Sequence, residues 1–303
     1  MGGSMTDGGS FDGKIGRTVV DTAQLALLLE VSGTPKPGNV DRHRDLADLH
    51  FEHFLAGAIG ARPGLAMAAR GEPIGSSFER AVAGMARQRG GNTQFGCLLL
   101  LVPLVRAAAT DSLTPNGVRE VVEATTVADV VEFYCAFEHV AVAVADPPAD
   151  ADALDVRRGS DAVSTLRERE LTLYDVMELS ATHEVEIADG NARLWTNGFD
   201  RAFDAADAIL EGEGQVLDRT ARAFLDCLAA EPDSLIATTH GAAVAREVSQ
   251  RAERVAADCE ATGELAAAEA LAEEFVAAGY NPGTTADLLA AALFIALHRG
   301  VEL

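Results

Sequence analysis

The stretch whose residue types best suit chemistry is Thr34-Pro35-Lys36-Pro37-Gly38-Asn39-Val40-Asp41-Arg42. Two prolines hold the backbone extended around Lys36, and Gly38 lets it turn. Asp41 and Arg42 are then delivered beside the helix that follows. A rigid loop of this kind presents a cation to phosphate without a large ordering cost. An ordinary helix–helix connector has a similar composition. What sets this one apart is that Lys36 and Lys14 are the only lysines in the chain.

Further candidates follow downstream. Asp45, Asp48, His50, Glu52 and His53 crowd a predicted helix start. Asp48 and Glu52 are four apart, so both carboxylates share a face and could hold a divalent cation or its waters. A solvated acidic first turn complementing the helix dipole uses the same residues. His50 and His53 lack the H-E-x-x-H spacing of a zinc helix. Gly90-Gly91-Asn92-Thr93-Gln94-Phe95-Gly96 runs into an apolar helix, with Asn92 and Thr93 at its N-terminus. That reads as an anion site or as plain capping, and not as a Walker loop. Asp233 to Gly241, with His240 before the glycine, and Asn281 to Asp287, with Asp287 in the first turn of a final helix, read as sites or as turns with caps. His183, Glu184, Glu186 and Asp189 lie along another helix, and Trp195-Thr196-Asn197-Gly198-Phe199 could wall a pocket or simply pack.

The elements that must position these residues are helical. Periodicity of 3.6 dominates and alternating stretches of strand length are close to absent. Helices are predicted at Thr18–Val31, Asp48–Ala69, Ser76–Arg89, Thr93–Ala109, Asn116–Thr125 and Ala128–Ala145, and again at Thr172–Ala188, Thr196–Leu210, Val216–Ala230, Ala242–Ala261, Ala266–Ala278 and Thr284–Arg299. Breakers such as Pro147-Pro148, Gly212-Glu213-Gly214 and Asn281-Pro282-Gly283 fall between them. The expected fold is all-α, a compact bundle of about twelve helices. Residues 17–303 are expected to form a single catalytic domain, with 1–16 a flexible segment in which Met1 to Ser4 reads as a cloning scar.

Composition narrows the function classes. The 303 residues carry 47 acidic and 24 basic side chains, a formal charge of −23, and 48% are hydrophobic. That supports a buried core and disfavours phosphate backbones and anionic membranes as partners. No apolar run approaches the roughly 20 residues of a membrane span, and no signal peptide opens the chain, so a cytoplasmic protein is expected. The four cysteines, Cys97, Cys135, Cys227 and Cys259, form no C-x-x-C pair and are expected to be buried small hydrophobes. Acidic, lysine-poor and alanine-rich composition suits concentrated salt, where screening suppresses self-repulsion. An acidic surface with a basic partner is the other reading.

Taken together and in order, these segments resemble the triphosphoribosyl-dephospho-CoA synthase family. Its T-P-K-P-G-x-V-D-R loop is matched by Thr34 to Arg42, with Asn39 at the variable place. Its D-M-D and phenylalanine segment corresponds to Asp48-Leu49-His50 and Phe54, and its N-T-H-K-G motif to Asn92-Thr93-Gln94-Phe95-Gly96. Its S-P-G-G-S-A-D-L-L-A motif is similar to Asn281 to Ala290. His50, Gln94 and Phe95 depart from the family pattern. The resemblance spans Thr18 to Arg299 and implies an all-α transferase that joins the triphosphoribosyl part of ATP to 3′-dephospho-CoA and releases adenine.

For such a reaction Lys36 and Arg42 are expected to contact phosphates. Asp41 and Asp48, with Glu52 alongside, are expected to hold Mg²⁺, Asp41 and Asp48 also serving as groups that act on the acceptor hydroxyl. Asn92 and Thr93 would position substrate, with Asp287 a second carboxylate at the site, and His240 would protonate adenine. Partners are expected to be small molecules, ATP and dephospho-CoA or a related nucleotide; self-association is left open. The competing readings are a different ATP-dependent ribosyl or phosphoryl transfer on another cofactor precursor, and a non-catalytic nucleotide-binding helical protein. Stability should rise with added KCl if the composition is salt adaptation, as followed by thermal unfolding from low to molar salt. A melting temperature indifferent to salt removes that reading.

Overall fold

The computed structural model describes residues 17–147, 151–182 and 185–303. The expected flexible segment 1–16, Pro148, and the candidate residues His183 and Glu184 lie outside the described residues. The first helix, α1 (Val19–Ser32), opens on a capping box in which Thr18 and Asp21 satisfy each other's backbone amides. It is followed by α2 (Phe51–Ala69), α3 (Ile74–Met85), α4 (Phe95–Ala109), α5 (Pro115–Glu123) and α6 (Val127–Ala136). Two 3-10 segments, Asp152–Leu154 and Val156–Ala162, lead into α7 (Val163–Glu168), α8 (Leu173–Thr182), α9 (Gly190–Thr196), α10 (Asp200–Glu211) and α11 (Val216–Ala230). The chain closes with α12 (Ser234–His240), α13 (Ala242–Thr262), α14 (Ala266–Ala278) and α15 (Gly283–His298).

The all-α class is as expected, and no strand occurs among the described residues. The additional helices α7, α9 and α12 are six or seven residues long. Two turns are too few for an apolar period to register. The expected helix from Thr196 begins only at Asp200, because Gly198 and Phe199 take φ values of 74° and 64° that break the helical path. The expected helix Ala128–Ala145 ends at Ala136. Beyond it Val140, Val142 and Val144 turn inward while Ala141, Ala143 and Ala145 are exposed, a period of two that belongs to an extended chain.

Two helices apolar on every side fill the centre. Burial is unbroken from Cys97 to Val105 in α4 and from Leu288 to Leu297 in α15, as a helix without a polar face requires. Around them pack α1, α2, α3, α9, α10 and α11. Pro103 lies inside α4 and cannot donate to the Leu99 carbonyl one turn back. The indole of Trp195 on α9 takes that carbonyl instead, at 3.3 Å. The only tryptophan is thus fully buried packing and does not wall a pocket.

After α1 the chain from Gly33 to Asp41 is buried throughout. Lys36 therefore does not present its cation outward as expected. Its Nζ is fully buried in an ion pair with Glu30 of α1 and donates to Asn39 Oδ1 at 2.9 Å, above the ring of Phe224 on α11. Burial pushes the Glu30 carboxyl up, and Lys36 opposes that rise. Asp41, fully buried, is likewise spent inside the loop. Its Oδ2 accepts from Thr34 Oγ1 (2.9 Å), the Lys36 amide (3.1 Å) and Arg44 Nη1 (3.0 Å), and its Oδ1 accepts from the His43 amide (2.8 Å). Arg44 then pairs with Glu269 and Glu273 of α14. Lys36→Ala should cost about 3–5 kcal/mol in urea unfolding, because it leaves Glu30 buried without a partner. Glu30→Gln combined with Lys36→Met should recover most of that loss; a single-variant loss no larger than that of an exposed ion pair would remove the structural role.

Candidate active site

Four helices, α4, α9, α12 and α15, begin at one place, and their first turns are joined by two carboxylates. Asp233 precedes α12. Its Oδ1 accepts from the amides of Leu235 (2.9 Å) and Ile236 (3.1 Å), and its Oδ2 from the amide (2.7 Å) and hydroxyl (2.8 Å) of Thr285 on α15. Ser234 Oγ accepts from the Gly190 amide of α9 (3.1 Å) and shares a hydrogen bond with Thr284 Oγ1 (3.0 Å). Asp233 is a helix cap for two helices at once, which is what unpaired N-terminal amides need.

Asp287 lies one turn into α15. Its Oδ2 accepts from Asn191 Nδ2 of α9 at 2.9 Å, and its Oδ1 from the Cys97 thiol of α4 at 3.1 Å. The approach to α4 requires a glycine, because a Cβ at Gly96 would stand 1.9 Å from Asp287 Oδ2. The side chain is partly buried. Loss of hydration pushes its pKa up to about 7, the hydrogen bonds from Asn191 and Cys97 hold it down, and the carboxylates of Asp233 and Glu30 push it further up. Burial, with Asp287 beside it, also raises the Cys97 thiol well above its usual range, so Cys97 is a donor here and no thiolate nucleophile. Asn191 Oδ1 is buried and has no protein partner. A carboxyl that titrates near neutrality can take a proton from a hydroxyl.

The Lys36 loop adjoins this cluster. Asn39 Nδ2 donates to Asn281 Oδ1 at 2.8 Å. Gly38, with φ 82°, lies so close to the segment entering α15 that a Cβ would stand 2.1 Å from the Tyr280 carbonyl. The loop therefore holds the entry to α15 through its backbone and Asn39, while Arg42 is exposed at its outer end.

The other expected site residues are placed as follows. Asp48 and Glu52 are exposed, and α2 starts at Phe51, so Asp48 precedes the helix and the pair does not share a helical face. With the Asp41 carboxylate committed to four donors, Asp41, Asp48 and Glu52 do not form the expected Mg²⁺ site. Among the described residues no group of three His, Cys, Asp or Glu side chains could hold a metal. Asn92 Oδ1 accepts from the Phe95 amide at 3.0 Å and caps α4, which begins at Phe95 and not at Thr93. Thr93 Oγ1 and both ends of the Gln94 carboxamide are buried without protein partners. His240 ends α12, exposed, with Nε2 3.1 Å from the Gly279 carbonyl and its ring edge-on to Tyr280. Asp287 alone of the expected residues is central. Sequence reasoning missed Asn191, Cys97 and the bridging role of Asp233; the Asp189-Gly190-Asn191 run, with Asp189 capping Ala192 at 2.8 Å, was the available sign of a helix start.

The described residues form helices that begin around a hydrogen-bonded carboxyl raised by burial, and sequence comparison makes the chain a transferase. Residues 16–302 match the family model for ATP:dephospho-CoA triphosphoribosyl transferase (CitG), and the chain belongs to that family. Its substrates in that family are ATP and dephospho-CoA. The fold is shared with a crystal structure from Archaeoglobus fulgidus described as a candidate triphosphoribosyl-dephospho-CoA synthase, at a TM-score of 0.64 and 24% identity over 82% of this chain and 100% of that one. No curated protein matches the chain. Gly96→Ala should lower turnover by about 10²-fold by displacing Asp287, while circular dichroism keeps its helical signal. Unchanged turnover would show that the close approach of α4 to Asp287 is not needed for the reaction.

Proposed function

We propose that Asp287 is the base in a reaction that joins C1 of the ATP ribose to a hydroxyl of 3′-dephospho-CoA. The bond from C1 to adenine breaks, the bond from C1 to the acceptor oxygen forms, the hydroxyl proton passes to Asp287, and adenine leaves after gaining a proton. The transition state carries oxocarbenium character, and a carboxylate beside C1 both stabilises that charge and receives the proton. The observation that supports this is the set of bonds on Asp287: Asn191 and Cys97 fix both oxygens, so the carboxylate is oriented before substrate arrives.

Arg42 is the exposed cation of the loop and is assigned to substrate phosphate. His240, at the rim, is assigned as the proton source for adenine, releasing the Gly279 carbonyl to do so. Asn92 and Thr93 border the first turn of α4 and are assigned to substrate positioning. Mg²⁺ enters this reading as part of the substrate, carried by the triphosphate oxygens that hard cations prefer. No helix among the described residues is long and apolar enough to cross a membrane, and the charge of −23 fits a salt-rich cytoplasm.

With Asp287 as base, the acidic limb of kcat/KM should fall about tenfold per pH unit below about 7. Adenine release followed by chromatography, with the adduct mass as a second readout, tests both bond changes. Asp287→Asn should reduce adenine release by about 10²–10⁴-fold. Release of ADP or AMP instead of adenine would establish a phosphoryl transfer and remove this reading.

A further inference from the structure

Beside Asp287 a cleft open to solvent runs between α9, α10, α11, α12 and α15, and its wall carries an arrangement of charge found nowhere else among the described residues. Glu231 is shared by two arginines. Arg193 engages it with both terminal nitrogens, at 2.9 and 3.1 Å, and Arg201 Nη1 reaches it at 2.7 Å. Every other ion-paired arginine in the described residues meets at least one carboxylate of its own; Arg157 meets two and Arg44 three. In a chain of −23, two partly exposed guanidiniums share the single partly exposed carboxylate on this wall. Arg193 Nε and most of the Arg201 fork keep free N–H groups.

The same cleft presents the hydroxyls of Ser234 and Thr284. Asp233, the other carboxylate on its wall, is buried behind them with four donors already on it. Thr284 lies on the same helix as Asp287, three residues earlier, so the cleft and the proposed base are within one turn of each other. Planar guanidinium forks with adjacent hydroxyls are the side-chain set that matches phosphoryl oxygens.

We infer that this cleft is a phosphate-recognition subsite in which Arg193 and Arg201, with Ser234 and Thr284, receive phosphoryl groups of a substrate bound at Asp287. Glu231 splays the two guanidiniums and holds them in place until the anion arrives. The inference rests on the proposed site at Asp287, yet its central measurement needs no turnover.

Calorimetric binding of inorganic tripolyphosphate and of pyrophosphate to the full chain should be detected, and should weaken at least tenfold in Arg193→Gln and in Arg201→Gln. Glu231→Gln removes the competing carboxylate and should tighten binding several-fold, which a purely structural salt bridge would not produce. Thermal melts of each variant separate lost binding from lost folding. A selective rise in KM for ATP in the arginine variants assigns the subsite to the triphosphate; a selective rise in KM for dephospho-CoA assigns it to the diphosphate of the acceptor. Folded arginine variants that bind both inorganic anions as the parent does, or a parent that binds neither, would overturn the inference. Anion binding that depends on the arginines while Asp287→Asn keeps full activity would uphold the subsite and reject the base.

Discussion

Helices that begin together leave their first amides unpaired together, and in a protein interior those amides must be met. Here α12 and α15 meet that demand with the carboxylate of Asp233, while Ser234 serves α9. The arrangement fixes where α15 starts, and so fixes where Asp287 stands, one turn on. It also explains how two acidic side chains can be tolerated close together. Burial raises both carboxyls; four donors oppose that rise at Asp233, whereas Asp287 receives only two and is pushed up to about 7.

A strongly acidic enzyme for anionic substrates needs positive potential confined to a small volume. The chain does not obtain it from lysine, since Lys36 is enclosed with Glu30 and holds the loop after α1. The remaining sources are the N-terminal turns of the long helices α4 and α15 and a few arginines that are incompletely neutralised. The rest of the surface can then stay negative, with short-range contacts at the cleft setting which anions are retained.

Much of this was legible in the sequence. Unbroken apolar runs announced α4 and α15, and the final-helix motif pointed to Asp287, whereas the loop motif pointed to Lys36, Asp41 and Arg42. Tertiary partnerships were not legible. Lys36 looked like an exposed cation between prolines because nothing local reveals that Glu30, six residues earlier on α1, turns toward it. Asp41 looked like a metal ligand because its four donors become donors only once the loop has folded. Asn191 was missed because α9 is too short to show a period, and the alternating valines after Ala136 were absorbed into a helix whose composition they share. Residues that act through contacts distant in the chain, such as Asn191 and Cys97 on Asp287, leave little trace in local pattern.

The bond from Trp195 to the Leu99 carbonyl has a consequence for observing the molecule. A proline in the central helix creates the vacancy, and the indole that fills it is carried by α9, the same short helix that carries Asn191. The chain's sole tryptophan is therefore a built-in optical gauge of whether α9 is seated on α4. Its emission reports on the element that orients Asp287 from a position shielded from solvent, without any label being introduced.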